Sequence, residues 1–165
     1  MPDSASLTAG SLRVLFERQG DRWSHSVEAL DDDAWVTVLE SVEGTPSDPW
    51  PPSPPLQQLH IESRDGHDVL LLLGMAGQSH WSLAVTAERE ALVFDVACRC
   101  RAMPEQVGSA YHQPTTEPDV VVEVDSEAGS ANCVEFPLQE SMRIEANLTA
   151  VEPPTTVRWR YTISR

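Results

Sequence analysis

From Leu56 to Arg101 the chain alternates apolar and polar positions in four runs of similar length, LQQLHIESR, HDVLLLLGM, QSHWSLAVTAE and ALVFDVACR, separated by residue pairs that favour turns. A period of two belongs to strands with one buried face. Asp65-Gly66 is a strong hairpin signal, and Ala76-Gly77 and Arg89-Glu90 are placed as two further two-residue turns. Together they predict an antiparallel meander. Leu59 and Ile61 face Leu72 and Leu70, these lie beside Trp81 and Leu83, and those in turn face Cys98 and Val96. Val85 opposes Phe94, and Ala87 opposes Leu92. All of them fall on one side, and a one-residue slip in any turn would scatter them.

The opposite face follows by alternation and is mixed. The second strand is apolar on both sides, which predicts a cover: another sheet, a loop or a ligand. Ser82, Ala84 and Ala97 form a floor of small residues, Leu71 and Leu73 an apolar wall, and His60, Glu62, His80, Asp95 and Arg99 a polar rim. Such a lining suits a small-ligand site, so His60, Glu62, Leu71, Leu73, His80, Ser82, Asp95 and Arg99 are the candidate binding residues. The plainer expectation is that the protein's own chain covers this face, with Asp95 paired to Arg99 and the histidines hydrogen-bonded, because buried polar groups are usually satisfied structurally.

Ahead of the meander, Leu12–Glu17 and Trp23–Ala29 read as a hairpin around Gln19-Gly20-Asp21, and Asp31-Asp32-Asp33 as a solvated turn. Trp35 to Val42 has helical spacing, but its β-branched content favours a strand. Residues 1–10 are expected to be a flexible N-terminus. Residues 44–55, GTPSDPWPPSPP, are half proline and read as a stiff strap with Trp50 pinned to the body. Their PxxP spacing keeps open the alternative of a ligand for an aromatic groove. Residues 102–118 read as a long loop with one helical turn near Pro104–Val107, and Tyr111 and His112 are the side chains to watch there.

Val120–Val124 and Cys133–Leu138 return to strands on either side of a loop from Asp125 to Ala131. MRIEANLTA and TTVRWRYTI read as a last hairpin, with Glu145 beside Arg160 as an exposed ion pair. Arg143, Arg158 and Arg160 form a basic stripe on its solvated face. The sum is a single all-β domain over residues 1–165. About ten antiparallel strands form a sandwich or a flattened up-and-down barrel, with little helix.

Composition narrows the function. The 165 residues carry a formal charge of -15. Such a surface repels phosphate backbones, which argues against nucleic acid and anionic membranes and leaves a small ligand or a protein as partner. All eleven basic residues are arginine, so Schiff-base chemistry and a P-loop lysine are excluded. Three cysteines suit a reducing compartment. The start lacks the basic and apolar regions of a signal peptide, and no run is long enough to span a membrane, so a cytoplasmic location is expected.

Cys98-x-Cys100 with Cys133 and a histidine sketches a zinc site but lacks paired Cys-x-x-Cys knuckles, so no metal is assigned. Ser82, His80 and Asp95 share a face without a nucleophile elbow or oxyanion amides, so no catalytic residue is assigned. No cofactor is implied. The reading is a non-enzymatic binding or interaction protein that uses the mixed face of the meander. The alternatives are a protein–protein module built on Trp50 and the strap, and, ranked below it, a metal-binding or hydrolytic enzyme using Cys98, Cys100, His80 or His112.

Overall fold

The computed structural model describes residues 2–127 and 131–165. In these the chain forms β1 (Ser4–Ala9), β2 (Leu12–Gln19), β3 (Arg22–Asp31), β4 (Ala34–Ser41), β5 (Gln58–Arg64), β6 (His67–Ala76) and β7 (Ser79–Glu88). After these come β8 (Ala91–Cys100), β9 (Gly108–His112), β10 (Val121–Val124), β11 (Ala131–Phe136), β12 (Ser141–Ala146) and β13 (Thr155–Ser164). One short 3-10 turn, Pro137–Gln139, precedes β12. Two antiparallel sheets pack face to face without closing into a barrel, which makes the fold a sandwich. The seven-stranded sheet runs β1-β2-β3-β4-β9-β12-β11, and the six-stranded sheet runs β10-β13-β8-β7-β6-β5. Phe16, Trp23 and Tyr111 of the first sheet and Phe94, Trp159 and Tyr161 of the second are among the largest side chains fully buried between them.

The meander is β5 to β8. Arg64 pairs with His67 across Asp65-Gly66, and Glu88 with Ala91 across Arg89-Glu90. Asp65 and Gly66 both take positive φ, as a type I′ turn requires. The middle turn differs from expectation: Ala76 pairs with Ser79, so the turn residues are Gly77-Gln78. Gly77 has φ +54, the first central position of a turn that needs glycine there. The shift moves the pairing by two residues, so Leu72 faces Leu83 and Leu70 faces Val85. A two-residue shift preserves alternation, and Leu59, Leu72, Leu83 and Val96 still share the core side. Ile61 lies on that side too but is exposed, because β5 is an edge strand.

Three expectations are corrected. Ser4–Ala9, expected to be flexible, pairs with β2 along its whole length and buries Ala5 and Ala9. The loop expected over 102–118 contains β9, which lies inside the seven-stranded sheet between β4 and β12. The hairpin expected from Met142 to Ile163 does not form: β12 pairs with β9 and β11, whereas β13 pairs with β8 and β10. Eight residues, 147–154, separate the two strands, and the chain crosses between sheets over them. Met142 and Ile144 still point at the core, as do Val157, Trp159, Tyr161 and Ile163, but from opposite sides of it. Glu145 and Arg160 are thus in different sheets, and Arg160 approaches Glu88 at 3.8 Å and Asp125 at 4.0 Å. Of the loop expected between Asp125 and Ala131, residues 128–130 lie outside the described residues.

The proline-rich segment leaves β4 and enters β5 in the other sheet. Where β4 ends, β3 and β9 part, and the segment fills the gap. Leu56 O accepts from Trp23 N–H at 2.6 Å. The Ser53 hydroxyl donates to Ala110 O and accepts from Ala110 N–H, both at 3.0 Å. On the other sheet the Gln57 carboxamide makes the matching pair with Met75 N and O, each at 3.1 Å. Trp50 is only 7% exposed and sits edge-on to Trp81 at 6.0 Å. At Gly74, a Cβ would overlap the Pro55 carbonyl oxygen, so glycine is required for the segment to lie this close.

Removing the Ser53 hydroxyl leaves the buried Ala110 N–H without a partner. Ser53→Ala is expected to cost about 1–3 kcal/mol, read as a lower urea midpoint at unchanged slope.

Candidate functional site

Among the described residues the outer face of the six-stranded sheet is open around Leu73 and Met75, while Val69 and Val93, also outward by register, are buried. The strap lies against Trp81 on the core side, so it does not supply the cover that the plainer expectation required. Leu73 and Met75, successive outward residues of β6, are each 47% exposed. Beside them is an open depression of about 350 Å³ lined by His60, Glu62, Leu71, Leu73, Ser82, Ala84, Asp95, Ala97 and Arg158. Six of the eight residues expected to form a site therefore lie around one depression.

The other two lie one row along. His80 faces Met75 on one side and Arg99 on the other. It lines a smaller depression of about 240 Å³ that shares Leu73 and includes Gln57, Gln58 and Met75. Arg99 lies in neither depression. The expected Asp95–Arg99 pair is absent: the two are four residues apart on one strand, about 13 Å by strand geometry. Neither makes an ion pair or a side-chain hydrogen bond among the described residues.

The registers explain the shape. Leu71 and Leu73 stand as a ridge on β6, opposite Ala84 and Ser82 of β7, which are in turn opposite Asp95 and Ala97 of β8. Small residues next to leucines make a groove along the strands. Arg158, opposite Ala97, closes its far side. Sequence reasoning missed Arg158 because it assigned β13 to the wrong neighbour. The usable signal was length: Thr155–Ser164 matches Ala91–Cys100 residue for residue. Over the whole face Arg64, Arg99, Arg158 and Arg160 stand against Glu62, Glu88, Asp95 and Glu123, so its charges balance, in a chain of net charge -15.

No hydrogen bond joins Ser82, His80 and Asp95 among the described residues. Cys98 and Cys100 are wholly buried on the other side of β8, with their sulfurs 3.6 Å apart, and burial pushes both thiols up from their ordinary pKa. Cys133 lies in the other sheet. Among the described residues no group of three histidine, cysteine or acidic side chains is placed to hold a metal. Nor does any described helix have the length and apolarity to cross a membrane. Trp50, buried against Trp81, is not presented to a partner.

A second polar constellation lies in the core. His25 Nε2 is 2.9 Å from the Tyr111 hydroxyl, which is 2.6 Å from the Tyr161 hydroxyl, and Trp159 Nε1 donates to Ser109 Oγ at 3.1 Å. The group ties β3 and β9 of one sheet to β13 of the other. Phe16, at 4.9 Å, and Phe94, at 5.8 Å, flank the His25 ring, and its Nδ1 has no partner. Burial alone pushes the pKa of His25 down to about 3. Burial pushes Tyr161 up to about 12, against the pull of the Ser109 and Tyr111 hydroxyls. Phenols this far from ionisation and a histidine held neutral in an apolar shell make a structural weld between the sheets, closed to solvent.

Comparison with known proteins adds no relative: no family model, no curated protein and no solved structure matches the chain.

The His25 shift fixes a pH dependence. Its folded pKa lies below the ordinary value of 6.5, so between pH 6.5 and pH 3 the unfolded chain binds a proton that the folded one does not. Stability is expected to fall as pH drops through this window, by about 2 kcal/mol between pH 6.5 and pH 5 from this residue. Denaturant titrations of the wild type and His25→Phe should show this component missing in the variant.

Proposed function

We propose that the protein is a non-enzymatic binding protein and that the outer face of β5 to β8, completed by Arg158, is its contact surface. The observation that carries this reading is the open groove, with half-exposed Leu73 and Met75 beside a polar rim, on a face where burial of apolar surface is still to be gained. The site combines an apolar wall, a floor without bulk and groups of both signs, and so suits an amphipathic occupant. The groove is open rather than enclosed, which favours a broad contact over a deeply enclosed small molecule. Three free cysteines and the acidic surface support a reducing, cytoplasmic setting without nucleic acid or membrane as partner.

The anionic, apolar dye 1-anilinonaphthalene-8-sulfonate is a suitable probe. Titrated into dilute 15N-labelled protein, it is expected to shift the amides of Leu71, Leu73, Ser82, Ala84 and Ala97, and Leu73→Asp should abolish these shifts. Shifts confined to other surfaces, or none, overturn the reading.

A further inference from the structure

We infer that the occupant of this face is a second copy of the same chain. The inference rests on the reading of the face as a contact surface and identifies the partner. A two-fold dimer needs a surface complementary to itself, in which residue i meets j and j meets i. The rows set by the strand registers have that property.

The row Leu73–Ser82–Ala97 runs across β6, β7 and β8. A two-fold axis lying over this row, in the plane between two copies, keeps each strand over its own counterpart and reverses its direction. Leu73 then meets the second copy's Leu73, and Leu71 meets its Met75. His80 covers the space above the second copy's Ala84. Asp95 meets the second copy's Arg99, and the symmetry makes this ion pair twice. These are the two charged groups that stand about 13 Å apart on β8 and have no ion-pair partner among the described residues.

Charge points the same way. Two chains of -15 repel each other, and the balanced outer face is a place where that repulsion is small. About this row four strands about 4.8 Å apart, β6, β7, β8 and β13, overlap their counterparts over about seven residues each, or ~450 Å² per partner, which suits a weak, concentration-dependent dimer. Arg158, in register with Ala97, lies at the end of the same row and meets the second copy's Arg158, a like-charge contact set against the two Asp95–Arg99 pairs.

Sedimentation equilibrium of the wild type over a wide concentration range is the test, with three variants. Asp95→Arg and Arg99→Asp each set like charges opposite one another and are expected to weaken association at least about tenfold. Mixed in equal amounts, the two single variants should form a heterodimer, because both junctions are then arginine against aspartate. Leu73→Arg should give a monomer. Wild-type dimer with no loss in either charge variant, or loss without recovery on mixing, overturns the two-fold arrangement. A wild type that is monomeric at every concentration, while the dye still shifts Leu73 and Ala97, overturns self-association and leaves the contact surface standing. Loss of both findings removes the surface itself.

Discussion

Burial of one apolar face per sheet against the other is the constraint on which this structure depends. Alternation makes it strict: a strand residue points at the core or away from it, and its neighbours point the other way. In the meander, Leu72, Leu83, Val85, Phe94 and Val96 lie at the core by this parity, and β13 extends it with Trp159, Tyr161 and Ile163. Once those positions are inside, the remaining residues of β5 to β8 have no freedom. Leu71, Leu73 and Met75 are turned outward because Leu70, Leu72 and Gly74 are turned in. The open groove is a consequence of how the core is built.

The sandwich also has to be joined where its ladders fail. β4 leaves its sheet early, and the segment that follows is rich in proline, which has no N–H to give a neighbouring strand. Side chains take over the backbone's role. The Ser53 hydroxyl satisfies both backbone groups of Ala110, and the Gln57 carboxamide does the same for Met75. Each of these groups can both donate and accept, which is what replacing a peptide unit demands. The aromatic weld from His25 through Tyr111 to Tyr161 secures the sheets on the inside, where unpaired hydroxyls would be costly.

What was legible in the sequence was parity, and what was not was long-range pairing. Asp65-Gly66 and Arg89-Glu90 placed their strands in the correct register, and even the misplaced middle turn left every side chain on its expected face. The candidate residues on the outer face were readable for the same reason. β9 was not, because GSAYH is short, lies among prolines and polar residues, and is buried on both sides rather than one. Its order comes from β12, β4 and Ser53, none of which is near it in sequence. The N-terminal strand was missed because SASLTA has small, weakly apolar residues. β13 was misassigned because proximity along the chain favours β12, whereas matching length favours β8. Arg158 was lost from the site with it.

The two outer faces of the sandwich are not equivalent, and the difference favours the six-stranded sheet as the proposed contact surface. On the seven-stranded sheet, two outward arginines are used internally. Arg13 pairs with Glu28 at 2.6 Å and stacks over Trp35 at 4.6 Å, while Arg22 is buried and bonded to Asp21. Its outer groove, along Glu17, Ser24, Ser26, Thr37, Glu40 and Ser41, is polar and offers little apolar area. On the six-stranded sheet, apolar side chains stand half in water, and Asp95 and Arg99 have no ion pair among the described residues. Exposed leucine on a sheet is a liability for a free-standing protein, since it invites adventitious association. β5 limits the hazard at its own edge with Glu62 and Arg64, paired at 2.8 Å, a charged edge that discourages strand addition. The flat of the sheet has no such guard, so the proposed contact is face to face, and Asp95 and Arg99 would make it selective by rejecting a partner without the opposite charges in register.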